Sequence, residues 1–143
     1  MTASFDFRPG VGALPISFGM TVAEVRGVIQ SSPRSFKRNF LSKHPLDRFD
    51  TLGLFVNYNE NGIVEALEFD ETGSLASGGR SLCGLSYVEA ENTIRSLGGS
   101  PSSTDDTVED TGLGISFYFP DHSDEPEKPA QSVLIAPPSY FDE

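Results

Sequence analysis

The chain is short of cysteine, histidine and basic side chains, and each shortage removes a class of chemistry. Cys83 is the single cysteine in 143 residues. It has no partner for an intramolecular disulfide, and the usual multi-cysteine zinc arrangements are excluded. His44 and His122 are the only imidazoles. A metal centre would need one of them joined to carboxylates, for example His122 with Asp121 and Asp124, and an exposed loop histidine is the simpler reading. No G-x-x-x-x-G-K-[ST], G-x-S-x-G or H-E-x-x-H occurs, so phosphate cradles, nucleophile elbows and helical zinc sites have no sequence warrant. No stretch approaches the roughly 20 apolar residues that span a bilayer. The first residues carry no basic-then-apolar leader pattern, and with the lone cysteine this points to a reducing, cytoplasmic setting. The expectation is a chain without metal, cofactor or enzymatic activity.

Basic residues are outnumbered 10 to 21, for a formal net charge of −11. The imbalance is uneven: residues 1–48 hold seven bases and three acids, and residues 49–143 hold three bases and eighteen acids. Such a field repels nucleic acid and anionic membrane and favours a basic protein partner, while being compatible with simple solubility. Arg34, Lys37, Arg38, Lys43 and Arg48 interleave with Phe36, Phe40 and Leu46, a pattern that RNA-binding strips share. The acids downstream oppose that use, and Phe36 and Phe40 at i, i+4 read as anchors of a short second helix.

What is present in strength is a hairpin. Gly53 to Phe69 places two β-branched and aromatic runs on either side of Asn61-Gly62, the pair that most readily reverses a chain with φ > 0. A two-residue loop there aligns Val56 with Leu67 and Leu54 with Phe69, whereas a three-residue loop with Gly62 as a bulge shifts the facing pairs. Under either, one face needs a helix to cover it.

Upstream, Phe5 and Phe7 alternate in a segment that adds an edge strand or covers the core, and Leu14 to Phe18 reads as one extended run. Thr21-Val22-Ala23-Glu24 is a capping box, and Val22, Val25, Val28 and Ile29 give a helix of about three turns ending at Ser32. Phe18 to Glu24 is then echoed by Cys83 to Glu89 at an offset of 65, with a second capping box from Ser86 to Glu89. Tyr87, Ala90, Ile94 and Leu97 form its stripe, and Gly98-Gly99 ends it. Leu52–Tyr58 matches Leu113–Phe119 at an offset of 61, and Val64–Phe69 matches Ala130–Ile135 at 66. The extra residues fall in Pro120 to Pro129, too proline-rich and charged for a strand and read as an exposed acidic excursion. The expected fold is one α+β domain over 1–143. It has a mostly antiparallel sheet, two main helices on one side, and pseudo-repeats at about 14–75 and 79–143 sharing one core. The tail through Ser139-Tyr140-Phe141 packs on its surface.

Individual candidates divide between chemistry and structure. Cys83 precedes Gly84 at a helix entrance, where a dipole can lower a thiol pKa, but its counterpart Phe18 argues for a structural, core-filling role. Asp105-Asp106 and Glu109-Asp110 suit a carboxylate pair or calcium, yet the EF-hand spacing is absent and a solvated acidic loop is the simpler reading.

G-[ML]-[TS]-x-x-E opening a helix, the G-L-F-V-x-Y-x-x-N-G hairpin and the closing S-Y-F-D resemble small bacterial single-domain proteins found beside polymorphic toxins. The duplicated helix-and-strands layout is similar in outline to the β-lactamase inhibitory proteins. The resemblance covers Pro15 to Glu143 and carries no catalytic residue; lacking a leader and paired cysteines, the chain departs from the secreted inhibitor. It implies an immunity protein, monomeric when free, that blocks a basic toxin domain of nuclease or deaminase type. Asp105, Asp106, Glu109, Asp110, Asp121, Asp124, Glu125 and Glu127 would steer it, with Tyr118 or Tyr140 as anchors. The alternatives are a small ligand-binding domain or enzyme, and a housekeeping scaffold protein that self-associates through a strand edge.

Overall fold

The structure, a computed structural model, describes residues 4–37 and 44–141. In chain order its elements are β1 (Phe5–Arg8), β2 (Gly12–Leu14), β3 (Ile16–Ser17), α1 (Val22–Val28), β4 (Arg34–Phe36), β5 (Leu46–Phe49), β6 (Leu54–Tyr58), β7 (Val64–Asp70), β8 (Leu75–Ser77), β9 (Arg80–Ser81), α2 (Tyr87–Ser96), β10 (Ser102–Ser103), β11 (Thr107–Asp110), β12 (Ile115–Tyr118) and β13 (Ser132–Ile135). Single 3-10 turns lie at Asp50–Leu52 and Pro138–Phe141. The fold is α+β, with two helices and two mostly antiparallel sheets.

The larger sheet runs β10-β11-β12-β13-β7-β6-β5-β4 and is antiparallel throughout. It consists of two four-stranded meanders, β4–β7 and β10–β13, each preceded by one helix and joined edge to edge by β7 and β13. Cross-strand partners share a face. One row on the inner face is Val108, Phe117, Val133, Phe69, Leu54 and Phe49, all buried. The neighbouring row reads Asp110, Ile115, Ile135, Leu67, Val56 and Asp47. Onto this face pack Val25 from α1 and Ile29 just after it, Ala90 and Ile94 from α2, and Phe5, Phe7, Ile16 and Leu75 from the smaller sheet, in a single core.

Both capping boxes form: Thr21 and Ser86 accept the N3 backbone N–H, and Glu24 and Glu89 accept the cap's own N–H. The first helix is two turns rather than three. Gly27 and the β-branched Val28 and Ile29 disfavour continuation, and Ile29 is already extended, which turns its side chain into the core.

Three other expectations need correction. Phe36 lies in strand β4, paired with Leu46, so no helix forms there among the described residues; Phe40, Arg38 and Lys43 lie outside them. For the Phe5 segment only the edge-strand reading is corrected: it is the centre of the smaller sheet, β3-β2-β1-β8-β9, because β1 also pairs in parallel with β8, and it covers the core with Phe5 and Phe7 as the other reading had it. Leu14 to Phe18 is two strands folded back at the cis Leu14–Pro15 bond, with Ala13 opposite Ile16.

The hairpin combines both loop readings. Asn59 faces Ile63 around a three-residue loop with Gly62 at φ +75°, and Tyr58 faces Val64. Glu65 is then an unpaired extra residue, after which Asn57–Ala66, Val56–Leu67 and Leu54–Phe69 follow the two-residue register. The bulge cancels the loop's shift and keeps the apolar set on the core side.

Candidate functional site

Two acidic loops meet at one end of the larger sheet. The β10–β11 turn holds Asp105 and Asp106, closed by the Thr104 N–H to Thr107 carbonyl bond (2.8 Å) and by Thr104 Oγ1, which accepts the Thr107 N–H at 3.1 Å. The β12–β13 loop is a succession of tight turns through Asp121, Asp124, Glu125 and Glu127, exposed from Ser123 to Pro129. Backbone joins them directly, the Phe119 N–H donating to the Asp106 carbonyl at 2.6 Å.

Tyr87, at the first position of α2, clamps both loops. Its hydroxyl donates to the Thr104 carbonyl at 2.6 Å, and its ring stacks on His122 at 3.8 Å and 11° and leans on Phe119 at 5.2 Å. His122 is therefore a half-buried packing residue rather than a solvent-exposed loop histidine. Its Nδ1 is buried without a partner among the described residues. Lys128 is the loop's base, bonded to Asp121 (2.7 Å) and near Glu125 (3.3 Å), and these carboxylates raise its pKa. Asp105, Asp124 and Glu127 form no ion pair among the described residues, so the end keeps a strong negative excess.

The other expected residues lie elsewhere. Glu109 sits on the outer face of β11, in the row Glu109, Ser116, Leu134, Glu68, Phe55 and Arg48. Tyr118, 39% exposed, occupies the adjoining row with Thr107, Ser132 and Asp70. Asp110 is at the far end of β11, where its carboxylate accepts the Ser100 and Leu113 N–H groups (2.8 and 3.0 Å). Burial works to raise its pKa, but those bonds outweigh it and hold the group low. Asp110 is thus engaged in holding the chain after α2. Tyr140 stands over the other half of the sheet.

There the outer face sinks into a hollow of about 620 Å³, lined by Leu46, Asn57, Tyr58, Glu65, Glu68, Leu134 and Tyr140 among others. Strand period alone assigns Glu68 to this face, opposite Leu67 and Phe69. Glu65 was illegible, because only the bulge directs it here. Burial raises the Glu65 pKa.

Behind the hollow, Tyr58 donates to Asp47 Oδ2 (2.8 Å), and Arg26 of α1 grips the same carboxylate twice, at 3.0 and 2.7 Å. Burial, then the bond to Asp47, pushes the Tyr58 phenol far above its ordinary pKa. Burial raises the Cys83 thiol as well, and its side chain packs against the core. No group of three or more His, Cys, Asp or Glu among the described residues could hold a metal ion. No described helix is long and apolar enough to cross a membrane.

No protein-family description, curated protein or solved structure matches the chain.

Proposed function

We propose that this chain is a non-catalytic, acidic protein-binding module, an immunity-type inhibitor that neutralises a basic toxin domain by covering its active site. The observation that carries the reading is the clamped acidic end, where Tyr87 ties the Asp105-Asp106 turn and the Asp121–Glu127 loop to one helix terminus. Carboxylates fixed in this way attract a cationic cleft, of the kind that holds nucleic acid or a nucleotide, with little ordering cost on contact. The outer sheet face, with Tyr118 and Glu109 beside that end, offers area for anchoring. The resemblance of the sequence motifs to small inhibitor proteins is the reason for placing the module among inhibitors.

Affinity capture from the native cell extract tests the reading. A basic protein retained at low salt and released at high salt is expected. Retention of nothing basic, or turnover of a metabolite by the pure protein, would count against it. The hollow is the feature that favours the second reading, a small ligand-binding domain, since its volume falls within the roughly 300–1,000 Å³ typical of ligand clefts.

A further inference from the structure

The tip of the β6–β7 hairpin brings together a reactive pair and a set of contacts that depend on it. Asn61 is followed by Gly62, which has no side chain to shield its nitrogen. Asn61 is exposed, and its side-chain amide makes no hydrogen bond among the described residues. Asn59 differs: its side-chain oxygen accepts the Asn61 and Ile63 N–H groups at 2.9 and 3.1 Å and is committed to the loop. We propose that Asn61-Gly62 is a site of spontaneous covalent modification, at which the asparagine converts to isoaspartate and loosens the hold of the hairpin on α1.

The conversion uses only the chain and water. The Gly62 nitrogen attacks the side-chain carbonyl carbon of Asn61 and closes a five-membered succinimide. The new C–N bond replaces that of the side-chain amide, and ammonia leaves with the proton given up by Gly62. Water then opens the ring. Addition at the former side-chain carbonyl gives aspartate, and addition at the main-chain carbonyl gives isoaspartate, whose backbone runs through the old side chain and is one methylene longer. Folding restrains the first step, because the Gly62 N–H donates to the Asn59 carbonyl at 2.9 Å and must leave it before the nitrogen can attack.

The consequence follows from where the tip sits. Gly62 is buried, and its carbonyl accepts the N–H of Val22, one of the orphan donors in the first turn of α1, at 3.2 Å. A Cβ on Gly62 would already come within 3.2 Å of His44 Nε2, so the glycine has little room to shift. Ile63 bridges to Thr21, the cap of α1, and the Met20 carbonyl accepts the Val64 N–H at 2.8 Å. A longer backbone between Asn61 and Gly62 displaces this fit, and a helix of seven residues relies on its first turn being held.

The test holds the full chain in mildly alkaline buffer and follows each asparagine by peptide mapping with mass spectrometry. Asn61 is expected to convert before Asn39, Asn57, Asn59 and Asn92, which precede Phe40, Tyr58, Glu60 and Thr93. The same incubation in unfolding urea should speed conversion at Asn61, since the Gly62 N–H is then released. The isoaspartate form, isolated by chromatography, should unfold at a lower urea concentration than the parent. Asn61→Asp, which adds the same charge on an unaltered backbone, should unfold with the parent. Earlier conversion of another asparagine, an equal rate in urea, or an isoaspartate form as stable as the parent or as Asn61→Asp would overturn the proposal. None of these measurements involves a partner, so the protein-binding reading stands or falls separately.

Discussion

Asp47 is the one charged side chain buried to 1% exposure among the described residues, and it is charged for a reason that packing alone does not give. It replaces an apolar residue at the end of an inner row and ties α1 to the sheet through Arg26 and to the hairpin through Tyr58. Asp47→Ala leaves a guanidinium and a buried hydroxyl without their acceptor. Urea unfolding should show a loss of about 2–3 kcal/mol, below the full cost of a wholly buried pair because the Arg26 side chain is 44% exposed. A loss under about 0.5 kcal/mol, the size of an ordinary surface change, would contradict that role. Asp50 acts at the surface. The Arg34 hydrogen bond, with help from Arg48, lowers its pKa from 3.8 to about 2. Because the folded value is depressed, its contribution is present above the unfolded value and lost as pH falls toward the folded one. Asp50→Asn should flatten the stability curve between about pH 4 and about pH 2 and leave it unchanged in shape above. A curve identical to that of the parent protein across this window would show that the pair does not matter. Neither network was legible in the sequence, since each joins residues brought together only by strand pairing, as in Asp47 with Val56.

Elements whose signals lie within four or five residues were readable. Thr21-x-x-Glu24, Ser86-x-x-Glu89 and Asn61-Gly62 each state a backbone geometry locally, and each is found. Elements defined by a distant partner were not. Strand β4 exists through β5, and the central place of β1 depends on β8, some seventy residues away. Helix α1 has seven residues, below the length at which a helix supports itself, so it depends on its cap and on Val25. Thr21→Ala and Ser86→Ala should each cost about 1 kcal/mol in denaturant unfolding; a cost near zero for both would mean the boxes are incidental. Gly114 has φ +77°, and a Cβ there would collide with the Ala136 carbonyl across the ladder. Gly114→Ala should cost at least about 2 kcal/mol, and a neutral result would require a different β11–β12 turn.

At the scale of the whole molecule, one face of the larger sheet packs the core, and two acidic loops gather at one end of that sheet. Charge counts located the acidic excess in the second half of the chain, and the excursion from Pro120 to Pro129 was recognisable as a loop by its prolines. Its union with the Asp105-Asp106 turn was not recognisable, because it depends on Tyr87 reaching two segments at once. The division of labour expected of such a molecule is steering by the acidic end and holding by the sheet face, and the two separate in kinetics. The most direct measurement is the association rate of the captured basic partner over a series of ionic strengths, for the parent chain and for a variant carrying Asp121→Asn, Asp124→Asn, Glu125→Gln and Glu127→Gln. The variant should associate about tenfold more slowly at low salt, with a flatter salt dependence and a similar dissociation rate. Identical association rates and salt slopes for the two proteins would contradict the claim that the clamped acidic end guides the partner in.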